Sequence, residues 1–366
     1  MHIDEPVYKR LFLLFRIVVG SAEVPPSLGW TVREWSDLLK EARRQEVVGV
    51  LFPAVKKMYS LREVPALVMQ AWETTAQRIV VASSAHRVAS VLVQAFFRDN
   101  GFRSCVLKGD VSASYYPDPS VRKNGDIDVW VEGDRQKIYA FLKDKCQIRK
   151  TTYVHTEIVP KKGFEVEAHY TPSWMYSPFA NRRMQRWFSS QAPVQFSNFD
   201  ETLGLNVPTV RFNGTYMLLH VFRHLFFEGI GFRHVIDYYY VLHRMDSSDR
   251  EEVRGNIRRF GLGRFASALM YVMGEVFLLE EEYYICKPDK KRGRLLLEAL
   301  AVSGNFGKTD PDISGKKDDI AGHAWKKIRR NMKYMVFSPS EFFWLPFFMI
   351  WHRMWRRRNG YLYRGK

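Results

Sequence analysis

The sequence has little cysteine and no arrangement of residues that is typical of a structural zinc site. Its 366 residues include three cysteines, Cys105, Cys146 and Cys286, which are too few and too scattered for a disulfide framework. No group of cysteines and histidines has the spacing of zinc ligands. A reducing, cytoplasmic environment therefore fits the chain best.

Internal repeats and low-complexity segments are also missing, and we expect no secretory signal. The first twenty residues contain an apolar run, but Arg16 interrupts it and no small-residue cleavage site follows, so we expect a first helix there. Apolar residues make up 46% of the chain and aromatic residues 15%, which excludes a disordered protein. The length allows two domains, or one large domain with helical additions.

Acidic residues are scarce relative to basic ones, and the imbalance is concentrated at the C-terminus. The formal net charge is +17, and residues 316–366 contribute +10 of it, with thirteen Lys or Arg against three Asp or Glu. The same stretch contains SEFFWLPFFMIWHRMWRRR, an aromatic run followed by a basic cluster. The run is shorter than the roughly 20 apolar residues that span a bilayer.

Three interpretations of this stretch are open: a helix docked on the protein's own core, a helix lying on an anionic membrane surface, and a nucleic-acid contact. We favour the first and expect residues from about Ser340 onward to pack mainly on the helical part of the chain. The arginines that follow would then lie at the surface for an anionic partner. Pro346 predicts a break or kink. Attachment to the periphery of an inner membrane is the alternative to a purely cytoplasmic protein.

Helical periodicity surrounds a short α/β segment. Thr31 and Glu34 form a capping-box pattern, and a second helical run from about Pro65 to Asn100 ends at Gly101. Between residues 102 and 171 we expect about four strands: RSCVLKG, DIDVWV and a hairpin, EIVPKKGFEVEAHY, whose turn is Pro-Lys-Lys-Gly. DRQKIYAFLKDKC, which precedes the hairpin, has helical spacing.

The predicted fold class is therefore α+β, a small mixed β-sheet with flanking helices, embedded in a largely helical chain. We divide it into a helical region at 1–100, an α/β core at 101–190, and a helical region at 191–366 with the basic and aromatic tail. SGNFGKTDPDISGKKDD is a candidate linker.

Two aspartates one residue apart are the strongest chemical feature of the α/β core. Asp126 and Asp128 project from one face of a strand, and two carboxylates held that close repel unless a cation lies between them. Glu165 and Glu167 share a face of the strand FEVEAHY, so a third carboxylate can meet the pair. Carboxylates on two strands could hold two Mg²⁺ ions (or Mn²⁺) about 3.5 to 4 Å apart, an arrangement suited to phosphoryl transfer. Because of the repulsion, we expect the Asn variants of both aspartates to melt no lower than wild type in EDTA.

A glycine turn precedes this pair. The strand SCVL leads into Lys108 and Gly109, and a helix is expected to begin at Asp110 or Val111. Glycine lets the backbone approach a ligand, and the free N–H groups of a helix start favour phosphate. Lys108, and Arg122 and Lys123 in the loop before Asp126, could bind phosphate; the alternative is that all three are solvated.

The order of strand, glycine with a short polar residue, helix, Asp-x-Asp strand and later acidic strand resembles the DNA-polymerase-β-like nucleotidyltransferases. LKG, YYPDPSVRKNGDIDVWV and EVEAHY are similar to the uncharacterised bacterial nucleotidyltransferase family of that superfamily. LLHVFRHLFFEGIGFRHVIDYYYVLHR and SGNFG resemble its helical region. The resemblance implies transfer of a nucleoside monophosphate from an NTP to an acceptor hydroxyl, with Mg²⁺ and release of pyrophosphate.

By the same resemblance, Asp126, Asp128 and Glu167 bind the metal ions. Glu167 matches the family pattern better than Glu165 because it lies two residues before His169, and it could also help to deprotonate the acceptor. The implied nucleotide-binding residues are Lys108, Gly109, Asp110, Ser112, Arg122, Lys123 and Gly125.

The sequence departs from the superfamily pattern at two points. Asp110 occupies the position where most members have serine, and the gap from Gly109 to Asp126 is longer than usual. Either Asp110 turns outward as a helix N-cap and Ser112 or Ser114 takes the phosphate role, or the nucleotide site is altered. The alternative function is a binding or regulatory protein on a catalytically degenerate nucleotidyltransferase fold, attached to a membrane or partner through its C-terminal segment.

Histidines recur in the helical region that follows. His220 and His224 are four residues apart, and His234 and Asp237 are three apart on the next helix. The spacing permits a metal or acceptor site between the helices. We favour buried, hydrogen-bonded histidines that join the two helices, because no carboxylate lies at the spacing of zinc metalloproteases.

Overall fold

A computed structural model of the chain describes residues 3–159, 164–227, 229–304, 326, 328–329 and 331–361. At its centre is a five-stranded mixed sheet in the order β1-β2-β5-β4-β3. β2 and β5 are parallel, and the other neighbouring pairs are antiparallel. The strands are β1 (Ser104–Val106), β2 (Ile127–Val131), β3 (Gln147–Thr151), β4 (His155–Val159) and β5 (Val166–His169).

Helices precede, connect and follow these strands. Before the sheet come α1 (Pro6–Val19), α2 (Val32–Arg44), α3 (Val48–Ser60) and α4 (Ala66–Asp99), and within it α5 (Asp110–Ala113) and α6 (Arg135–Lys145). After it come α7 (Pro178–Ser197), the small pair β6 (Phe199–Asp200) and β7 (Leu205–Asn206), α8 (Val210–Phe227), α9 (Phe232–Arg244), α10 (Ser247–Phe260), α11 (Gly263–Phe277), α12 (Lys290–Ser303) and α13 (Pro339–Arg358). The predicted α+β class is confirmed.

Local sequence features explain where several elements begin and end. Glu34 N–H donates to Thr31 Oγ1 at 3.3 Å and Thr31 N–H to Glu34 Oε2 at 2.8 Å, which confirms the capping box of α2. The predicted first helix is α1, and Gly101, with φ of +81°, follows the end of α4. β3 was not predicted because QIRKT is an edge strand that exposes most of its side chains and therefore lacks an apolar alternation.

Some predictions fall on residues outside the described ranges. β4 and β5 pair in antiparallel register, which confirms the hairpin, but its turn at residues 160–163 is not among the described residues. Most of the predicted linker, from residue 305 onward, lies outside them as well. The boundaries at residues 100 and 190 stay predictions.

The alternating side chains of β2 separate two cores. Ile127, Val129 and Val131 belong to a small core that also contains residues of α4 and α6. Trp130 faces the larger core, where it contacts Phe196, and that core includes most of the helical regions. Because side chains alternate along a strand, Asp128 and Asp126 point to the same side as Trp130, toward the helices.

α4 packs against β1 and β2. Its His86 contacts Asp110, and Gln94 Nε2 donates to the carbonyl oxygen of Ser104 at 3.1 Å. Among the described helices, α4 alone has the length and apolar composition of a membrane span, a property that core helices of soluble proteins share. These contacts provide partners for the buried side chains of His86 and Gln94.

The C-terminal helix α13 differs from the expectation at Pro346. It runs from Pro339 to Arg358 as one helix, so the predicted break at Pro346 is wrong. Contacts on both sides of the proline hold the helix together: Glu341 accepts from the N–H of Tyr176, and His352 Nε2 accepts from the N–H of Tyr153. These partners belong to the 101–190 segment, whereas Leu345 is buried in the larger core and Glu341 pairs with Arg223 of α8, so the helix packs on both parts of the chain.

A buried ion pair joins α13 to α8. Glu341 and Arg223 are almost fully buried, and Nη1 of the arginine lies 3.1 Å from Oε2 of the carboxylate. The Arg223 guanidinium also stacks over the rings of Trp174 and Tyr176, at 4.4 and 4.0 Å from their centroids. The position of α13 therefore depends on a charge compensated inside the protein.

We predict that Glu341→Ala lowers the free energy of unfolding by about 3 kcal/mol, because it leaves the Arg223 charge buried without its carboxylate. Urea unfolding of the purified variant measures the change. Glu73→Ala, at an exposed position of α4, is the matched control and should unfold as wild type. Equal stability of the Glu341 variant and wild type would show that the aromatic rings alone compensate the arginine.

Candidate functional site

Three carboxylates converge where β2 and β5 lie side by side. Asp126 immediately precedes β2, and Asp128 is paired in the parallel register with Glu167 of β5. One carboxylate oxygen from each of the three lies within 4.8 Å of the others. Glu165 has a side chain that is 69% exposed and pairs with Arg149 instead. The structure thus brings together the three residues predicted as metal ligands and leaves Glu165 outside.

The two aspartates have different electrostatic surroundings. Asp128 Oδ1 lies 2.9 Å from Lys108 Nζ and 2.9 Å from His169 Nε2. Burial opposes its ionisation, but these two partners hold the pKa of Asp128 well below its usual range. For Asp126, burial and the neighbouring Asp128 raise the pKa to about 6. Asp126 is therefore the carboxylate whose charge is least compensated by the protein.

Two histidines complete the sheet side of the site. Glu167 Oε2 lies 3.0 Å from His155 Nδ1 and 3.2 Å from His169 Nε2. Although burial opposes protonation of His169, its hydrogen bonds to Asp128 and Glu167 raise its pKa to about 9. His155 escaped the sequence analysis, although the alternation of HTEIV places it on one face with Glu157.

A cavity of about 150 Å³, here called the carboxylate cavity, lies over these groups. Its lining comprises Lys108, Asp126, His155, Glu167 and His169, the segment 172–174, and Tyr216, His220, Arg223 and His224 from α8. Tyr216, His220 and Arg223 are spaced four and three residues apart, so they lie on one face of an otherwise apolar helix. This face presents polar side chains to the carboxylates. That spacing is the feature by which Tyr216 and Arg223 could have been found from sequence.

The glycine turn is closed by α4. Gly109 has φ of +67°, and a Cβ atom added there would lie 2.7 Å from Cε1 of His86. Glycine is thus needed for the close approach of α4, not only for a ligand. Ser112 Oγ is buried 3.9 Å from Met217 Sδ, and Ser114 Oγ donates to the carbonyl of Val111. Neither serine lines the carboxylate cavity.

Asp110 does not turn outward as an N-cap. The helix α5 begins at Asp110 with Gly109 in the cap position, and the Asp110 carboxylate is buried. Its Oδ2 accepts from Ser90 Oγ at 2.7 Å and lies 2.8 Å from His86 Nδ1. Burial opposes ionisation, but the contacts with His86 and Ser90 lower the pKa of Asp110 below its usual value. The carboxylate therefore ties α5 to α4.

The loop before Asp126 holds one buried and one accessible cation. Arg122 is buried and makes two contacts of 2.7 Å with the carboxylate of Asp237 in α9, so it serves as a clamp between the loop and the helix. Lys123 is half-exposed, with Nζ 3.0 Å from Glu46 Oε1. Gly125 is exposed and lies between them and Asp126.

Lys123 lines a second and larger cavity. This space of about 620 Å³, here called the basic groove, is lined by Arg43, Glu46, Val48, Thr75, Arg78, Ile79, Ala82, Lys123, Asn124 and Phe164. Three cationic side chains and one carboxylate line it, and that carboxylate, Glu46, is already paired with Lys123 and Arg233. The groove therefore has a net positive lining.

His220, His224 and His234 form a second cluster, with one ring nitrogen of each within 4.8 Å of the others. Burial holds the pKa values of His220 and His234 well below the usual range, and the charges of Lys108 and Arg233 add to the effect. Gly231 N–H donates to His234 Nδ1 at 3.4 Å. The positive charges of Lys108 and Arg233 beside this cluster oppose a divalent cation there, so the cluster suits the packing of α8 against α9 better.

The mixed sheet, with carboxylates at the start of β2 and on the parallel strand beside it, is consistent with a nucleotidyltransferase-like fold. The chain belongs to a family of uncharacterised nucleotidyltransferases, whose model matches residues 31–278. The match extends from α2 to the residue after α11, and so includes the three carboxylates and the polar face of α8. No curated protein matches the chain.

Because the two aspartates have different surroundings, we predict that their Asn variants differ in stability. This replaces the expectation from the sequence that both variants melt no lower than wild type. In EDTA, Asp126→Asn should melt at or above the wild-type temperature, because burial and Asp128 oppose ionisation of Asp126. Asp128→Asn should lower the free energy of unfolding by about 3 to 5 kcal/mol, since Lys108 and His169 would lose their buried partner. Thermal unfolding of both variants decides the matter, and equal melting temperatures would contradict the inequality.

Proposed function

We propose that the protein transfers a nucleoside monophosphate from an NTP to an acceptor hydroxyl, with Mg²⁺ or Mn²⁺ held by Asp126, Asp128 and Glu167. The observation that carries this proposal is the convergence of those carboxylates within 4.8 Å on adjacent strands, in a chain of a nucleotidyltransferase family. Pyrophosphate is the second product.

The residues fit a divalent cation. Oxygen ligands from a few carboxylates, completed by substrate phosphates, are what Mg²⁺ prefers. Burial, Asp128 and Glu167 raise the pKa of Asp126 to about 6 although Lys108 opposes the shift, and a cation beside these carboxylates would favour the ionised form of Asp126. When bound, the cation supplies neutralisation of phosphate charge and lowers the pKa of the acceptor hydroxyl.

The protein's own groups can position the phosphate and receive the proton. The acceptor oxygen forms a bond to the α-phosphorus, the bond to the bridging oxygen breaks, and pyrophosphate leaves. The hydroxyl proton passes to Glu167, and His155 Nδ1, 3.0 Å from the Glu167 carboxylate, can take it further. Lys108 lines the same cavity and places a positive charge beside the reacting phosphate.

The two cavities suggest where the nucleotide lies. Small-molecule sites usually measure about 300 to 1,000 Å³, so the carboxylate cavity, at about 150 Å³, has room for the reacting groups alone. The basic groove, at about 620 Å³, has room for a nucleotide. Asn124 lines the groove and Asp126 the carboxylate cavity, and two residues span at most about 7 Å. A triphosphate can therefore extend from the groove toward the carboxylates.

We predict that Glu167→Gln and Asp126→Asn abolish Mg²⁺-dependent nucleotide binding and turnover. A thermal-shift screen of the four NTPs with Mg²⁺ or Mn²⁺, followed by pyrophosphate release with the NTP that binds, measures both. Glu165→Gln is the matched control, because Glu165 lies two residues away and faces solvent. Full activity of the Glu167 variant, or equal loss in the Glu165 variant, would contradict the assigned site.

A second prediction concerns the basic groove. Arg78→Ala and Lys123→Ala should each weaken NTP binding by about tenfold, the loss expected for one charge-assisted contact with phosphate. Titration calorimetry with Mg²⁺ measures the affinity, and the effect should shrink at high salt. Arg258→Ala, at a 71% exposed arginine of α10, is the control. Unchanged affinity in both groove variants would place the nucleotide elsewhere.

The second candidate function is a binding or regulatory protein on a catalytically degenerate fold. The observation that favours it is the environment of Asp110, which occupies the position where most superfamily members have serine. Its carboxylate contacts His86 and Ser90 of α4. The thermal-shift screen with NTPs and divalent cations distinguishes the two functions. No thermal shift with any NTP and divalent cation would favour the degenerate fold, whereas turnover with Asp110 in place would exclude it.

A further inference from the structure

The outward face of α13 exposes a row of large apolar side chains. Phe343, Phe347, Ile350 and Met354 are spaced four, three and four residues apart, and each is more than half exposed. At 3.6 residues per turn these side chains form one continuous row along the helix; we call it the apolar stripe. Trp351, also exposed, lies beside it.

The opposite face of the helix is fixed to the protein. Leu345 is fully buried, Glu341 accepts from the N–H groups of Tyr176 and Ser177 at 2.7 and 2.8 Å, and His352 accepts from Tyr153. The apolar stripe is therefore held outward by contacts on the other side of the same helix. It is not the inner face of a loosely attached helix.

Basic side chains flank the apolar stripe, and the sequence of α13 after Glu341 contains no acidic residue. Arg353, Arg357 and Arg358 are exposed, whereas Arg356 is partly buried and donates to the carbonyl of Tyr361. From residue 342 to residue 358 the sequence has no Asp or Glu. Arginines can keep their guanidinium groups in a polar layer while their aliphatic stems lie along apolar surface. This is the composition of helices that lie in a membrane interface.

We infer that the apolar stripe and the arginines beside it dock on the surface of an anionic phospholipid bilayer. From Phe343 to Met354 the stripe is about 16 Å long, roughly half the thickness of the hydrocarbon core, so α13 lies in the plane of the interface and does not cross it. Phe179 of α7, which is exposed and 6.1 Å from the ring of Trp344, extends the same surface.

An apolar recess opens beside the stripe. A cavity of about 320 Å³ between α13 and the α/β segment is lined by Trp344, Phe347, Phe348 and Trp351 together with Tyr153 and Tyr176. Phe347 and Trp351 thus belong both to the outward surface and to the wall of the recess. Its largely aromatic lining suits a hydrocarbon segment better than it suits a polar ligand.

Charge distinguishes a bilayer from the other possible occupants. Two copies of a chain with a net charge of +17 repel one another, whereas a bilayer with acidic headgroups attracts the arginines. Nucleic acid would match the arginines but would leave the apolar stripe in water. A bilayer with acidic headgroups accommodates both the row of apolar side chains and the basic groups beside it.

The test is flotation of the full chain with phosphatidylcholine vesicles that contain phosphatidylglycerol, compared with pure phosphatidylcholine. Wild type should float with the acidic vesicles and less with the neutral ones, and high salt should weaken binding. The variants Phe343→Ser/Ile350→Ser and Arg353→Gln/Arg357→Gln/Arg358→Gln should each bind at least about tenfold more weakly. All these positions are exposed, so wild-type melting temperatures are expected.

Matched controls keep the test specific. Leu67→Ser, at an 81% exposed leucine of α4, controls for lost apolar surface, and Arg258→Gln controls for lost charge; both should float as wild type. The inference is overturned if wild type does not float, if neutral vesicles bind equally well, or if the α13 variants float unchanged. It is also overturned if the stripe variant converts a dimer to a monomer in sedimentation velocity, because the occupant is then a second copy.

Discussion

The buried charge of Asp128 is the constraint on which the arrangement of the site depends. Its carboxylate is 2% exposed and lies within 2.9 Å of both Lys108 and His169. An isolated carboxylate in that position would be costly, so each partner must be held in place. Lys108 follows β1 and His169 ends β5, and both strands are neighbours of β2 in the sheet. The strand order therefore supplies the charge compensation.

The side chains around the three carboxylates compensate their negative charge only in part. Lys108 and His169 both contact Asp128, and His155 and His169 contact Glu167. Asp126 is compensated only in part by Lys108, and burial together with Asp128 raises its pKa to about 6. The imbalance lies at the one carboxylate that precedes the strand, next to the loop that leads to the basic groove. A cation drawn to this surplus would lie where a nucleotide in the groove could share it.

Alternation within strands made the three carboxylates predictable, and long-range contacts made the nucleotide residues difficult to assign. A period of two places Asp126 and Asp128 on one face and offers Glu165 or Glu167 on the neighbouring strand, and the family resemblance selects Glu167. The roles of Asp110 and Arg122 depend on His86, 24 residues before Asp110, and on Asp237, 115 residues after Arg122. No local sequence pattern predicts that the Asp110 carboxylate will contact side chains of α4. The same limit explains Pro346, whose helix persists because of contacts made far away in sequence.

One ion pair connects the proposed site to the proposed membrane surface. Arg223 lines the carboxylate cavity and pairs with Glu341 of α13, whose opposite face exposes the apolar stripe. Glu341 also accepts from the N–H groups of Tyr176 and Ser177, which follow the segment that lines the cavity. Packed interiors transmit displacement because they contain few voids. A bilayer that holds α13 in place would therefore also hold this wall of the carboxylate cavity in place. It would change the geometry of the site only if it displaced the ion pair between Arg223 and Glu341.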